Sequence, residues 1–336
     1  MKKIFVLILS AAFLAASCAD SSDDRVVTGY VTSWGTTMPD PALFTHLNYS
    51  FGHVADSFDS LYIDNEPRLA EVIALKEAKP SLKVLLSVGG WMSGNFSEMA
   101  ASDSLRSSFC ASCKAAVDRF GLDGIDIDWE YPTSDLGEIS CSPDDKANFN
   151  LLMRDLRSAL GEDALLSFAA YFDTQFIDYA GAVDYVDFVN VMTYDMGRAP
   201  SFNSALYQSD RHQGPTADKA VKDHLAAGVP KSKLVLGIPF YGRGDRVFFP
   251  ESIDYKDLKV DGRYYEVCWD DDAMVPYVAN KITGDIVFSY ENEKSILAKC
   301  YYIKDHHLRG AMVWDCGADD SDFTLSKDLW TYLKEK

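Results

Sequence analysis

Short apolar, β-branched runs alternate with longer segments of helical periodicity along most of the chain. Eight runs have the length and composition of buried strands, and they are VVTGYVTSW (26–34), THLNYSFG (45–52), LKVLLSVGGW (82–91), GIDIDWE (124–130), LLSFAAY (165–171), VDFVNVMTYD (186–195), KLVLGIPFYG (233–242) and RGAMVWD (309–315). Between them, segments such as 104–121 and 144–161 have the period of amphipathic helices, and the second ends at Gly161. Eight strands that alternate with helices predict an α/β fold, the (β/α)8 or TIM barrel. A doubly wound open sheet is the alternative, but no glycine-rich phosphate loop follows the first strand.

The spacing of the strands breaks once, between the seventh and the eighth. Residues from about 244 to 289 are too many for one helix and mix aromatic with acidic side chains, as in RYYEVCWDDD. We expect a small α+β insertion there, followed by the last barrel helix. Because no Ser-, Gly- or Pro-rich linker interrupts the rest, residues 26–336 are predicted to form one barrel domain.

The first residues have the pattern of an export signal. Residues 1–17 combine two lysines, a short apolar run and small residues before Cys18, which predicts a signal peptide. The sequence before Cys18 resembles the lipidation site of bacterial lipoproteins, so we expect this cysteine to carry lipid; an ordinary signal peptide with an incidental cysteine is the alternative. Residues 18–25 are predicted to be an acidic tether. Together these features indicate an exported lipoprotein at the outer membrane or cell surface of a Gram-negative bacterium.

The composition restricts the ligands. Lys and Arg number 32 and Asp and Glu number 51, so the net charge is −19, which repels nucleic acid and anionic lipid. We therefore expect a neutral or cationic ligand, no nucleic-acid partner, and membrane contact only through the lipid anchor. Besides Cys18, six cysteines show no disulfide framework and the six histidines show no metal-ligand spacing. We expect mostly free thiols, no metal or other cofactor, and a monomer.

An acidic strand carries the candidate chemistry. In GLDGIDIDWEYP (121–132), the period of two places Asp126, Asp128 and Glu130 on one face and apolar residues on the other. Active sites of such barrels lie at the C-terminal ends of the strands, so Glu130 lies at the rim and the two aspartates lie deeper. Buried like charges so close together share protons as a coupled system. A raised pKa on Glu130 suits a general acid near neutral pH.

The shared face also restricts the reaction. Enzymes that hydrolyse glycosidic bonds usually place two carboxylates on opposite sides of the sugar, whereas Asp128 and Glu130 approach from the same side. Asp128 is therefore badly placed to attack the anomeric carbon from behind. The 2-acetamido oxygen of the substrate is the obvious alternative nucleophile, which predicts an N-acetylhexosamine substrate.

The acidic strand resembles the DxxDxDxE signature of glycoside hydrolase family 18, the chitinases and related enzymes. Asp123, Asp126, Asp128 and Glu130 stand at its four acidic positions. Other motifs similar to the family's follow in order, and they are SVGGW (87–91), MTYD (192–195), GIPFYGR (237–243) and Trp314. The resemblance extends from about Val26 to Leu333.

The resemblance implies roles for the buried acids. Glu130 would protonate the glycosidic oxygen and later activate water. Asp128 would orient the acetamido group and stabilise an oxazolinium-like intermediate. Asp126 would hold the alternate proton, with Tyr30 and Ser87 as hydrogen-bond partners.

It also implies roles around the sugar. Tyr194 would donate to the acetamido oxygen, and Asp195 would bind the same sugar. Trp314 would form the apolar floor, and Trp91 would stack on the leaving-group side. For Tyr194 and Trp314 we favour function over packing alone, because both lie at strand ends. Met192 and Arg243 are also predicted to contact the substrate.

Four other positions have a structural interpretation. Parity places Asp123 and Trp129 opposite the acidic face, which predicts a turn-forming aspartate and a core tryptophan. Trp34 fits the core and a sugar platform about equally well. Trp269 could line the groove or anchor the insertion.

Three functions remain open at this stage. The leading one is retaining hydrolysis of β-1,4 links between N-acetylglucosamine units in chitin or chitooligosaccharides. An endo-β-N-acetylglucosaminidase acting on N-glycans would use the same carboxylates, although the WEYP ending and the MTYD strand are more similar to the chitinase branch. A sugar-binding protein on an inactive scaffold is disfavoured because Glu130 and Asp128 are both present.

Overall fold

The computed structural model describes residues 24–335. The predicted signal peptide, Cys18 and most of the tether lie outside these residues. Within the described part, none of the helices combines the length and the apolar character needed to cross a bilayer.

Across residues 24–335, eight parallel strands close into a barrel. They are β1 (Val26–Thr32), β2 (His46–Val54), β4 (Lys83–Gly89), β5 (Gly124–Asp128), β6 (Leu165–Tyr171), β7 (Phe188–Met192), β8 (Leu234–Pro239) and β14 (Gly310–Trp314). Each strand pairs with the next in this order, and β14 pairs with β1 to close the ring. Strand β3 (Leu61–Ile63) forms a hairpin with β2. The predicted (β/α)8 barrel is confirmed, and every predicted apolar run coincides with a barrel strand, although β2 extends two residues beyond its run.

The helices cover the outside of the barrel. They are α1 (Glu66–Ala74), α2 (Phe96–Ala101), α3 (Asp103–Phe120), α4 (Asp145–Leu160), α5 (Tyr179–Ala182), α6 (Ala217–Ala226), α7 (Glu293–Asp305) and α8 (Thr324–Trp330). Helix α3 begins after Ser102, whose side chain accepts from the Leu105 amide, and ends at Gly121 in the left-handed conformation. Both helices singled out from the sequence therefore form within two residues of their predicted bounds.

The insertion between β8 and β14 is an antiparallel sheet. Its strands are β9 (Tyr241–Gly244), β10 (Ser252–Asp254), β11 (Tyr265–Asp270), β12 (Val275–Asn280) and β13 (Ile286–Ser289), in the order β10–β9–β13–β12–β11. Residues 241–289, all of them described, contain one 3-10 turn at Tyr255–Asp257 and no α-helix. The predicted α+β insertion is therefore wrong in its helical part. The physical reason is that β-branched and aromatic runs of the insertion pair their backbone groups in an antiparallel ladder. A turn at Asp261, whose side chain accepts from the Arg263 amide, leads into β11.

The apolar core lies between the strands and the helices. Trp129 is buried there and stacks on Phe96, with ring centroids 5.2 Å apart, so its predicted core position is confirmed. Burying a ring such as Phe96 contributes about 1.5–3 kcal/mol to stability. Among residues 24–335 the six cysteines are free thiols; Cys141 is exposed, Cys268 is partly buried, and the others are buried.

Candidate active site

Strand β4 brings a glycine pair against the acidic strand. The register pairs Ser87 with Asp126 and Gly89 with Asp128. Gly89 has a φ of +125°, and a Cβ at this position would lie 2.1 Å from the Asp128 carbonyl oxygen. The next amide, that of Gly90, donates to the same oxygen at 2.8 Å. Only glycine permits this close approach, which fixes β4 against the end of β5.

Asp126 lies at the centre of a ring of hydrogen-bond donors inside the barrel. Its carboxylate accepts from Tyr30 (2.7 Å), Ser87 (2.8 Å), Ser167 (2.6 Å) and Asn190 (3.2 Å). Burial raises the pKa of Asp126, while these hydrogen bonds oppose the rise. The contacts of Tyr30 and Ser87 agree with the sequence prediction. Ser167 and Asn190 were missed, although each is a lone polar residue in an otherwise apolar strand.

Asp128 lies one step nearer the rim and has fewer partners. It is buried, and its Oδ1 accepts no hydrogen bond from the described residues. Burial raises the pKa of Asp128 well above its usual value, and the negative charges of Glu130 and Asp126 raise it further. The free site therefore favours a proton on Asp128.

Glu130 lies two residues beyond the end of β5 and is only partly exposed. Burial raises its pKa to about 7; a hydrogen bond with Tyr131 opposes this rise and the charge of Asp195 adds to it. A carboxyl with a pKa near 7 can donate a proton at neutral pH and accept one afterwards. Glu130 therefore has the titration behaviour that the sequence predicted.

Aromatic rings surround the mouth of the barrel above the acids. The Trp314 ring contacts the Tyr30 ring, with centroids 5.5 Å apart, and stacks on the Phe51 ring at 5.8 Å. These two contacts fix the orientation of Trp314. Trp34 is 65% exposed and Trp91 is 56% exposed. The exposure of Trp34 excludes the core alternative and leaves the platform one. Large apolar rings that face solvent at a barrel mouth are suited to contact the apolar face of a ligand.

Tyr194 follows the end of β7 and its ring is buried beside the acids. Burial raises the pKa of Tyr194 well above its usual value, and the nearby Tyr241, Asp128 and Glu130 also raise it. Its hydroxyl lies 3.8 Å from the sulfur of Met312, a weak acceptor. The phenol therefore stays protonated and can donate to a ligand.

Asp195 is held by residues of the insertion. Arg243 binds it with two parallel hydrogen bonds of 2.7 Å, and the Tyr241 hydroxyl donates at 2.8 Å. Arg243, predicted from the sequence to contact substrate, thus contacts Asp195 directly. Met192 lies buried at the end of β7. Tyr241 was missed because its partner lies 46 positions away in the sequence.

Two residues with a structural interpretation lie away from this cluster. Asp123 precedes β5 at the opposite end of the barrel and binds Lys76 and Lys83 at 2.6 and 3.0 Å. Trp269 lies under the ammonium group of Lys294, 3.9 Å from the ring centroid, which favours its role as an anchor between the insertion and α7. Within residues 24–335 no three His, Cys, Asp or Glu side chains form a potential metal site.

The chain is similar to a defined set of proteins. The profile described as Glycosyl hydrolases family 18 matches residues 26–319. Chitinase A1 of Niallia circulans is 28% identical over 93% of this chain and 59% of its own length. Chitotriosidase-1 of Mus musculus is 33% identical over 84% of this chain and 68% of its own length. The chain thus spans about 60–70% of these two relatives.

Solved structures have the same fold. A glycoside hydrolase family 18 N-acetylglucosaminidase from Paenibacillus barengoltzii superposes with a TM-score of 0.83 at 34% identity, covering 92% of this chain and 99% of that one. The Group IV chitinase of Ostrinia furnacalis in complex with allosamidin superposes with a TM-score of 0.83 at 29% identity, covering 93% and 99%.

Proposed function

The chain belongs to glycosyl hydrolase family 18, and we propose that it hydrolyses the β-1,4 bonds of chitin or chitooligosaccharides with retention of configuration. The observation that carries this proposal is the column of acids on one face of β5, with the pKa of Glu130 near 7 beside a buried Asp128. The names of the chitinase relatives support the substrate class.

In the first step, Glu130 protonates the glycosidic oxygen. The acetamido oxygen of the sugar attacks the anomeric carbon as the bond to the leaving group breaks, and an oxazolinium ion forms. Trp314 lies beneath this sugar, and the Tyr194 hydroxyl donates to the acetamido oxygen. The attack takes place within one sugar, and holding the acetamido group in line with the breaking bond accelerates it.

Asp128 stabilises the oxazolinium ion. Its unpartnered Oδ1 is available to accept from the acetamido N–H, and its ionisation supplies negative charge beside the developing positive charge. The proton that Asp128 releases moves to Asp126, whose hydroxyl and amide neighbours adapt to either state. Glu130 then takes a proton from water, which opens the oxazolinium ion from the face that the leaving group vacated.

A second candidate is N-acetylglucosaminidase action, including endo-β-N-acetylglucosaminidase action on N-glycans. The similarity to the Paenibacillus barengoltzii enzyme favours it. The same acids would serve this reaction, so the identity of the substrate that is cleaved distinguishes the two candidates.

Product analysis tests both candidates. The protein is incubated with chitooligosaccharides and with an N-glycoprotein, and rapid NMR follows the released reducing end. We expect chitooligosaccharide cleavage, a β-anomeric first product, and inhibition by a thiazoline analogue of the sugar. An oligosaccharide deacetylated in the cleavage subsite should bind without reacting. An α-anomeric product, or equal cleavage at glucosamine, contradicts the acetamido mechanism, and binding without any cleavage indicates a sugar-binding protein.

We also propose that Cys18 is lipidated and anchors the protein to the outer membrane or cell surface. The support is the short apolar run and the small residues before Cys18. Cys18→Ser should release the protein from the membrane fraction. Mass spectrometry that finds an unmodified N-terminus, upstream or downstream of Cys18, contradicts this proposal.

A further inference from the structure

A fully buried ion pair lies behind the loop that follows β7. Lys299 on α7 and Glu291, just before this helix, are 0% and 1% exposed, and Nζ lies 2.5 Å from Oε1. Transferring two ions out of water is costly, and well-packed apolar residues often stabilise such a position as well or better. Stability alone therefore does not explain why this ion pair is buried, whereas its hydrogen bonds to other residues offer a reason.

The ammonium group of Lys299 begins a short chain of hydrogen bonds toward the candidate site. It donates to Ser204 Oγ at 2.7 Å, and Ser204 donates to the carbonyl oxygen of Thr193 at 2.5 Å. This carbonyl belongs to the peptide bond between Thr193 and Tyr194. Since the ammonium group can only donate, it directs the Ser204 proton to the Thr193 carbonyl.

The neighbouring residue holds the other side of the same segment. The side-chain oxygen Oδ1 of Asn203 accepts from the Asp195 backbone amide at 2.9 Å. The backbone amide of Asn203 donates to the Ser289 hydroxyl at 2.9 Å. Asp195 has a φ of +55°, a conformation that a residue with a side chain keeps only when its surroundings support it. Tyr194 therefore lies between two anchored peptide groups, one tied to Ser204 and the other to Asn203.

We propose that Lys299, Glu291 and Ser204 are positioning residues for Tyr194 and Asp195. Glu291 fixes the ammonium group, the ammonium group fixes the Ser204 hydroxyl, and the hydroxyl fixes the peptide that precedes Tyr194. The consequence for catalysis rests on the proposed function, in which Tyr194 donates to the acetamido oxygen. Small displacements of such a group reduce turnover more than they reduce substrate binding, because alignment matters most in the transition state.

Ser204→Ala tests the chain of hydrogen bonds without removing a charge. We expect kcat on a chitooligosaccharide to fall about tenfold, as for the loss of one oriented hydrogen bond, with KM changed less than twofold. Ser209→Ala is the matched control, because Ser209 is a buried serine of the same loop whose hydroxyl donates to Asp270. Its kcat should stay within about twofold of the native value.

The double variant Lys299→Met/Glu291→Leu separates positioning from stability. Removing both charges avoids leaving one ion buried alone, so Tm should stay close to the native value while kcat remains reduced. Full kcat at a native Tm, or a Ser204→Ala variant that turns over as fast as Ser209→Ala, overturns the proposal.

Amide hydrogen exchange provides a readout that needs no substrate. In Ser204→Ala, the amides of Asp195 and Met196, which are bonded to Asn203, should exchange faster than in Ser209→Ala. If the native protein cleaves no chitooligosaccharide, the proposed function fails and exchange alone decides the positioning proposal: faster exchange supports it, and equal exchange overturns it.

Discussion

The carboxylates at the two ends of β5 have opposite environments, since one has several hydrogen-bond partners and the other has an unpartnered oxygen. At the N-terminal end, Asp123 accepts from the ammonium groups of Lys76 and Lys83 and, at 2.8 Å, from the Val84 amide. Burial raises the pKa of Asp123, but these three partners outweigh it and the pKa is lowered. At the C-terminal end, Asp128 has an unpartnered Oδ1 and a pKa raised well above its usual value.

The difference shows where the strand favours stability and where it favours chemistry. A fully partnered carboxylate stays ionised and ties the strand to its neighbours. A buried carboxylate with an unpartnered oxygen favours its protonated form and retains acceptor capacity for a ligand. The change occurs within five residues, between Asp123 and Asp128, at the end of the barrel where active sites are found.

The largest expected effect is on turnover, from Glu130→Gln. An amide has no transferable proton, so hydrolysis of a chitooligosaccharide should fall at least about 10²–10⁴-fold, while the variant still folds and binds the oligosaccharide. Initial rates and calorimetric binding check this. Near-native turnover would show that Glu130 is not the general acid.

The second effect is on the pH dependence of stability. A carboxyl whose folded pKa of about 7 exceeds its ordinary value of 4.5 stabilises the folded state fully below pH 4.5 and loses this contribution as the pH rises to 7. Over this range, the free energy of unfolding of the native protein should therefore fall by up to about 3 kcal/mol relative to that of Glu130→Gln. This is an upper limit because Glu130 keeps some contact with solvent.

Urea unfolding of both proteins between pH 4 and pH 8 measures this difference. The Gln variant also removes the charge that faces Asp128, so the difference includes that repulsion. A difference that does not change with pH would contradict a raised pKa at Glu130.

The third effect compares substitutions at the two ends of the strand, one expected to change stability and the other to change turnover. Asp123→Asn should lower the free energy of unfolding by about 1–3 kcal/mol at pH 7, because two lysines lose their partner, and should leave kcat unchanged. Asp128→Asn should do the reverse, lowering kcat without lowering stability. Unfolding curves and initial rates of both variants test this, and a large loss of kcat in Asp123→Asn would remove the distinction.

The smallest effect is at the edge of the Asp123 cluster. Lys83 is about half exposed, whereas Lys76 is 28% exposed. Lys83→Met should therefore cost less than about 1 kcal/mol, and Lys76→Met should cost more, because exposed ion pairs contribute little. Urea midpoints of the two variants compare them directly, and an equal or opposite ranking would show that burial does not set the strength of this cluster.

The sequence was most informative where the signal is local. The period of two in GIDIDWE placed Asp126 and Asp128 inside the barrel and Trp129 in the core, because side chains on a strand alternate between two faces. The strand runs and the amphipathic helices were visible for the same reason. The resemblance to family 18 then assigned roles to matched residues, and family membership is confirmed by the profile match.

The sequence was less informative where a partner comes from a distant strand. Ser167 and Asn190 contact Asp126 because the barrel closes in one register, which no local pattern reports. Trp34 was ambiguous, since an apolar ring at a strand end has the same pattern whether it is buried or exposed. The helical part predicted for the insertion was wrong, because its runs pair with one another in an antiparallel sheet, which depends on contacts between separate segments.

By itself the sequence determined the alternation of elements, the acidic face of β5 and the family. These depend on periodicity and on residue identity at fixed spacing, which act over a few residues. Only the tertiary structure decided that Asp123 is paired while Asp128 is not, and that a buried lysine on α7 connects to the peptide before Tyr194. Both depend on which side chains the closed barrel brings within hydrogen-bond distance across 40 to 100 positions of sequence. Burial then determines the free energy of these charged groups, because a charge removed from water is costly unless another group in the fold pairs with it.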